Sequence, residues 1–166
     1  QLKEADKAVE AYKKYLSLTG NPEIGKLRYA FFLFMARDFA KANDTFRELA
    51  QKEDVSPITL RFYAISLFEA GDYQLSRNIF EQYFAKSPQT EIEPADYSYF
   101  GKLFLKQNED SLAAHSFQRS LALERKQPEV LQLLAETFFK SKKYPEAIAM
   151  YEQLMEIRTR PSSQDY

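Results

Sequence analysis

An all-α protein built of repeated helical hairpins is predicted by three observations. Large aromatic residues recur at Tyr12, Phe46, Phe80, Phe117 and Tyr151, in steps of 34, 34, 37 and 34 residues. Small residues recur at Ala30, Ala64, Gly101 and Ala135 in matching steps, and a second small series (Ala8, Ala42, Ser76, Ala113, Ala147) lies four residues before the aromatics. Prolines fall at Pro22, Pro57, Pro94, Pro128 and Pro161, each after a polar or loop residue. A fixed period of this length marks a repeat architecture in which each repeat is one supersecondary unit.

Each proline is expected to open a helix, since its missing N–H would have had no partner in a first turn. Asn21 and Ser56 stand ready to cap the remaining free N–H groups there. The dipeptides Arg37-Asp38, Gly71-Asp72 and Lys142-Lys143 mark the turns inside pairs. In chain order, residues 5–18 (ADKAVEAYKKYLSL) read as the second helix of a pair that lacks its first. Four full pairs follow: 22–36 with 39–53, 57–70 with 73–86, 94–107 with 110–124, and 128–141 with 144–158. They make repeats at 22–54, 57–88, 94–125 and 128–158 of a single domain spanning 1–166, with 159–166 a tail or the start of a further repeat. Nine helices and no strand are expected. Three extra residues in SPQTEIEP (87–94) predict looser packing at that junction.

Composition narrows the function classes. The chain has 166 residues, is 45% hydrophobic and 28% charged, and carries a net charge of −1. That is too apolar for a disordered chain. Nucleic acid binding calls for a concentrated basic face, and the short clusters Lys140, Lys142, Lys143 and Arg158, Arg160 read instead as charge complementing helix ends. There is no cysteine, so neither a disulfide framework nor thiolate chemistry is expected. The densest apolar run, Tyr29 to Ala36, is far shorter than a membrane span, so no direct membrane insertion is expected. The chain begins at Gln1 rather than Met and reads as a processed product or a piece of a longer one.

Leu60, Tyr63, Ala64, Leu67, Gly71-Asp72-Tyr73, Ser76, Phe80 and Pro88 resemble the tetratricopeptide repeat almost throughout. So do Leu131, Leu134, Ala135, Phe138, Tyr144, Ala147 and Tyr151, and the resemblance covers residues 5–158. The chain departs from the pattern at Lys26, where the family has an aromatic or Leu, and at Asp110, where it has Tyr. The resemblance implies an α-solenoid wound as a right-handed superhelix, with a concave face lined mainly by the first helix of each pair. The small residues then let helices approach closely and the aromatics fill the gaps beside them. The third pair is also similar to repeats of bacterial envelope proteins of this family, which implies a bacterial origin and an exported, periplasmic location over a cytoplasmic one.

The single histidine, His115, is expected on the convex outside. Glu91, Glu93 and Asp96, like Glu109 and Asp110, sit at helix starts, where the dipole favours negative charge. No phosphate loop, nucleophile elbow or metal-binding helix motif occurs, so no catalytic activity, cofactor or metal is expected.

The working surface implied by the resemblance is the concave face. Its candidate partner-binding residues are Leu27, Arg28, Phe31, Phe34, Arg61, Phe62, Ile65, Phe68, Tyr99, Lys102 and Glu136. Ile24, Met35, Ile58 and Phe139 occupy further positions of the same face. Members that clamp a chaperone's C-terminal carboxylate use Lys and Asn where this chain has Leu27 and Phe31, then Arg61 and Ile65, so that activity is not implied. The surface reads apolar toward its N-terminal half and charged toward its C-terminal half, suited to an apolar or aromatic-bearing segment of a partner. A rival reading has Phe31, Phe34 and Phe68 packed between adjacent first helices or under a preceding one. The function expected is a protein–protein interaction scaffold. An architectural segment of a longer, self-associating solenoid and a sensor domain of a larger protein are the alternatives.

Overall fold

The structure, a computed structural model, describes Lys14 and residues 22–159. The helix expected over 5–18 lies outside these apart from Lys14, which is helical, and so does the segment after Thr159. The described residues hold eight α-helices and no strand. They are α1 (Pro22–Met35), α2 (Phe39–Ala50), α3 (Pro57–Ala70), α4 (Tyr73–Lys86), α5 (Pro94–Lys106), α6 (Asp110–Leu123), α7 (Pro128–Lys140) and α8 (Tyr144–Thr159). A 3₁₀ turn, Gln89–Glu91, lies ahead of α5. No described helix is long and apolar enough to cross a membrane. The chain divides into two compact units, Gln1–Gln89 and Thr90–Tyr166, and the boundary falls inside the segment that carries the three extra residues.

All four turns inside hairpins are built alike. The N–H groups of Asp38, Asp72, Glu109 and Lys143 donate to the carbonyls of Leu33, Leu67, Phe104 and Phe138, each at 2.9 Å. The residue before each turns left-handed: Arg37 at φ 61°, Gly71 at 85°, Asn108 at 59° and Lys142 at 61°. Its own N–H reaches the carbonyl three residues back, so two orphan carbonyls at each helix end are satisfied. Asp38 and Asp72 then cap the next helix, accepting from the N–H of Lys41 at 3.3 Å and of Leu75 at 3.1 Å.

Between hairpins the prolines act as expected, with Pro57, Pro94 and Pro128 in the first turns of α3, α5 and α7. Ser56 does not. Its hydroxyl makes no cap bond and lies 2.9 Å from the Thr59 hydroxyl, so the two side chains satisfy each other. At α5 the capping group is Asp96, fully buried, whose carboxylate accepts the N–H of Glu93 at 2.9 Å. Gln127 closes the end of α6, donating to the carbonyls of Ser120 and Glu124.

The core follows the two small series. Ala30, Ala64 and Ala135, with Ala42, Ser76, Ala113 and Ala147, are almost without exposed surface, and Gly101 is buried with them. Ser76 keeps its hydroxyl there by donating to the Ala64 carbonyl at 2.8 Å. Phe46, Phe80 and Phe117 are fully buried, each ring contributing roughly 1.5–3 kcal/mol. Tyr151, the last of the aromatic series, is 39% exposed. Among the described residues it does not fill a gap as the others of its series do.

Candidate functional site

In the first unit the first-helix face is carried by α1 and α3, which touch each other as well as α2. Phe31 stands edge-on to Phe62 with ring centroids 4.7 Å apart, and Phe34 meets Phe62 at 5.4 Å. Phe31 also reaches back to Phe46 and Phe34 to Phe39. The three rings form one half-buried cluster. Each is in contact with neighbouring rings and partly exposed as well.

The remaining candidates of this unit fall into two groups. Leu27 and Phe68 are half-buried, and Phe68 packs on Tyr73. Ile65 is 5% exposed; it lies in the core and offers no contact surface. Arg28 is exposed, and the Arg61 guanidinium lies over the Phe62 ring, 5.6 Å from its centre. The most accessible apolar groups are residues that the pattern placed on this face without singling them out. Ile24 is 52%, Ile58 48% and Met35 78% exposed. Their signal was present in the repeat: Ile24 and Ile58 stand 34 residues apart at the same position of successive first helices.

In the second unit the corresponding residues of α5 and α7 are polar and already engaged. Lys102 bridges to Glu129 of α7 at 2.7 Å and lies over the Tyr99 ring at 5.4 Å. Gln132 donates to Glu136 at 2.9 Å, and Lys140 reaches Asp110 at 2.9 Å. Phe139 is 61% exposed beside Tyr144. His115 is exposed, on α6.

Two hydroxyl-bearing groups merit a chemical reading. Burial pushes the Tyr63 phenol above its ordinary value, partly opposed by the Arg47 guanidinium beside it, which hydrogen-bonds the hydroxyl. Tyr63 ties α3 to α2 in this way, and its role is structural. Ser66 is fully buried with no hydrogen-bond partner for its hydroxyl oxygen. Among the described residues no group of three or more His, Asp and Glu gathers as a metal site would need.

Hairpins of this length, closed by this turn and packed through alternating small and aromatic residues, define a helical-repeat protein. A family model of the tetratricopeptide repeat matches residues 130–165. A comparison with curated protein sequences gave no match. Among solved structures the chain is similar to MamA from Desulfovibrio magneticus RS-1, at 15% identity over 98% of this chain and 88% of that one, with a TM-score of 0.82. YrrB, solved as a tetratricopeptide-repeat protein with an unusual peptide-binding site, is 14% identical over 90% of this chain and 75% of that one, with a TM-score of 0.76. The C-terminal part of a repeat-containing protein from Cytophaga hutchinsonii is 24% identical over 80% of this chain and 65% of that one, at 0.57. Identities this low show the fold, which is the all-α fold of tetratricopeptide-repeat proteins.

Proposed function

We propose that the chain is a protein-interaction scaffold without catalytic activity, and that the first-helix face of its N-terminal unit takes an apolar, aromatic-bearing segment of a partner. The observation that carries this is the half-buried cluster of Phe31, Phe34 and Phe62, flanked by exposed Ile24, Ile58 and Met35 and by the cations Arg28 and Arg61. Contiguous apolar surface rimmed by charge is what recognition surfaces present. The rings are held by one another, so a partner would find them preorganised. The Arg guanidinium groups favour a partner with aromatic or acidic groups near its apolar anchors. The peptide-binding site named for YrrB lends the reading its precedent. Tyr99, Lys102 and Glu136 would make a second, polar face on the C-terminal unit, where any ligand must compete with the Lys102–Glu129 pair.

The test is a selection of random peptides displayed against the chain, followed by affinity measurement of the enriched sequences. Enriched peptides should carry Phe, Tyr, Leu or Met, and the double change Ile24→Glu, Ile58→Glu should abolish binding with helicity unchanged. Both residues are about half exposed, so the variant keeps its core. Binding that survives this change, or peptides lost only with changes on the second helices, would refute the reading.

A further inference from the structure

In the second unit α6 and α8 flank α7 and leave a depression of about 540 Å³ between them. Its floor is apolar: Leu121 of α6, Leu134 of α7 and Met150 of α8. Gln118, Gln153 and Arg125 line it as well, and no acidic side chain does. A volume of this size lies within the range of small-molecule sites. The side of α8 that carries Ile148, Tyr151 and Met155 has no share in it.

The polar groups of the rim are uncommitted. Gln127 and Gln132 of the same unit spend their amides on hydrogen bonds within the protein. Among the described residues, the side chains of Gln118, Gln153 and Arg125 make no hydrogen bond or ion pair.

The first unit shows what fills the corresponding place. Tyr63 stands there at the position of Leu134, and its hydroxyl is held by Arg47, at the position of Gln118. Tyr63 is 2% exposed, and Ile79, the counterpart of Met150, 6%. Leucine ends at its Cδ carbons, so in the second unit the outer ring atoms and the hydroxyl of that tyrosine have no equivalent. Met150 is accordingly only half-buried. The cation has moved as well: it is Arg125, at the position of Asp54.

The missing pieces define the ligand. The floor lacks a ring, and the Met150 sulfur favours an aromatic neighbour. An unpaired guanidinium beside apolar surface selects a carboxylate. A free amino acid would bring an ammonium group for which the lining offers no acidic partner. We propose that the depression between α6 and α8 binds a small aromatic carboxylate, with its ring on Leu121, Leu134 and Met150 and its carboxylate on Arg125. The depression shares no residue with the first-helix face described above, so the two readings stand or fall separately.

The experiment uses the chain of 166 residues, isotope-labelled at the methyl groups of its three methionines, Met35, Met150 and Met155. In NMR titrations hydrocinnamate should shift the Met150 signal saturably, with a Kd of about a millimolar for so few atoms, and leave Met35 and Met155 in place. Arg125→Gln, at an exposed position, should weaken binding about fivefold, as loss of one exposed ion pair allows. Hydrocinnamyl alcohol and phenylalanine should bind more weakly than hydrocinnamate by a similar factor. Leu134→Tyr, which restores the ring of the first unit, should abolish binding. Should that variant lose helicity, Gln153→Glu, which sets a carboxylate in the exposed rim, should weaken binding instead. No shift of Met150, equal shifts of all three methionines, or an unaffected Arg125→Gln would overturn the proposal. Equal affinity for the alcohol or for cyclohexanepropanoate would overturn it too. So would a peptide ending in Phe that binds more tightly than hydrocinnamate, which would assign the depression to the end of another protein chain.

Discussion

Gly101→Ala should destabilise this protein, although alanine is the best helix former and glycine nearly the worst. A Cβ built on Gly101 meets the Phe117 ring at 2.5 Å from Cε1, 2.7 Å from Cδ1 and 3.0 Å from Cζ. Carbon atoms rest at about 3.5–4.0 Å, so the ring would have to retreat by roughly 1 Å. Little room is left for that: Phe117 has no exposed surface and shares a buried cluster with Ala113, Ala114, Val130 and Leu134. Overpacking of this kind costs about 1–3 kcal/mol. Alanine recovers about 0.8–1.0 kcal/mol through helix propensity, leaving a net loss of up to about 2 kcal/mol, and Gly101→Leu should lose considerably more. The other three hairpins keep an alanine at this position, so in the third the ring occupies the space the missing methyl leaves. Urea unfolding followed by circular dichroism measures the difference at unchanged slope. The double variant Gly101→Ala, Phe117→Leu should lose less than its two single changes added together. An increase in stability of Gly101→Ala by the full propensity gain would refute the argument, since it would mean that the ring yields freely.

Four further outcomes follow from the turns, a cap and the Tyr63 phenol. Gly71→Ala should cost about 1 kcal/mol in thermal or urea melts through its positive φ alone, because a Cβ there would meet nothing within 4 Å. Lys142→Gly should be neutral or stabilising by about 0.5 kcal/mol, as relief of the left-handed strain outweighs the entropy that glycine adds to the unfolded chain; a loss of 1 kcal/mol would contradict the turn assignment. Asp72→Ala should cost about 1 kcal/mol by removing the cap on Leu75 N–H. The raised Tyr63 phenol stabilises the fold while it stays protonated, in full below the ordinary value of 10.0, and that contribution is lost as pH climbs through the higher folded value. Melting temperature should therefore fall above pH 10, and fall less steeply in Tyr63→Phe.

Much of this was legible in the sequence because the repeat samples each position several times. Pro57, Pro94 and Pro128 fixed helix starts to the residue, and the alignment of Gly101 with three alanines marked a close approach before any coordinate did. What escaped was chemistry carried by the backbone. Arg37 and Lys142 are poor left-handed residues by type, and Asn108 a tolerated one, yet all three take that conformation because the flanking hairpin is packed and the chain must reverse there. Ser56 has the composition of a cap, but Thr59 three residues on offered its hydroxyl a nearer partner. At the candidate face the pattern marks which side of α1 and α3 a residue occupies, and not how far it sinks. Ile65 and Phe62 share a side, but Ile65 is drawn into the core while Phe62 is held at its edge by two neighbouring rings.

The locality of the packing also governs how the molecule comes apart. In the first unit α1 meets α2, α2 meets α3 and α3 meets α4, and in the second α6 and α8 flank α7. Closing so short a loop costs little chain entropy, and proteins with such neighbour-to-neighbour contacts fold quickly. The same arrangement sets no global lock on an end helix. Among the described helices α8 packs chiefly on α7, so its release needs the loss of one interface and not of the whole fold. Amide protons of α8 should therefore exchange through a local opening that denaturant scarcely affects, while those of α3, clasped by α2 and α4, wait for a larger event.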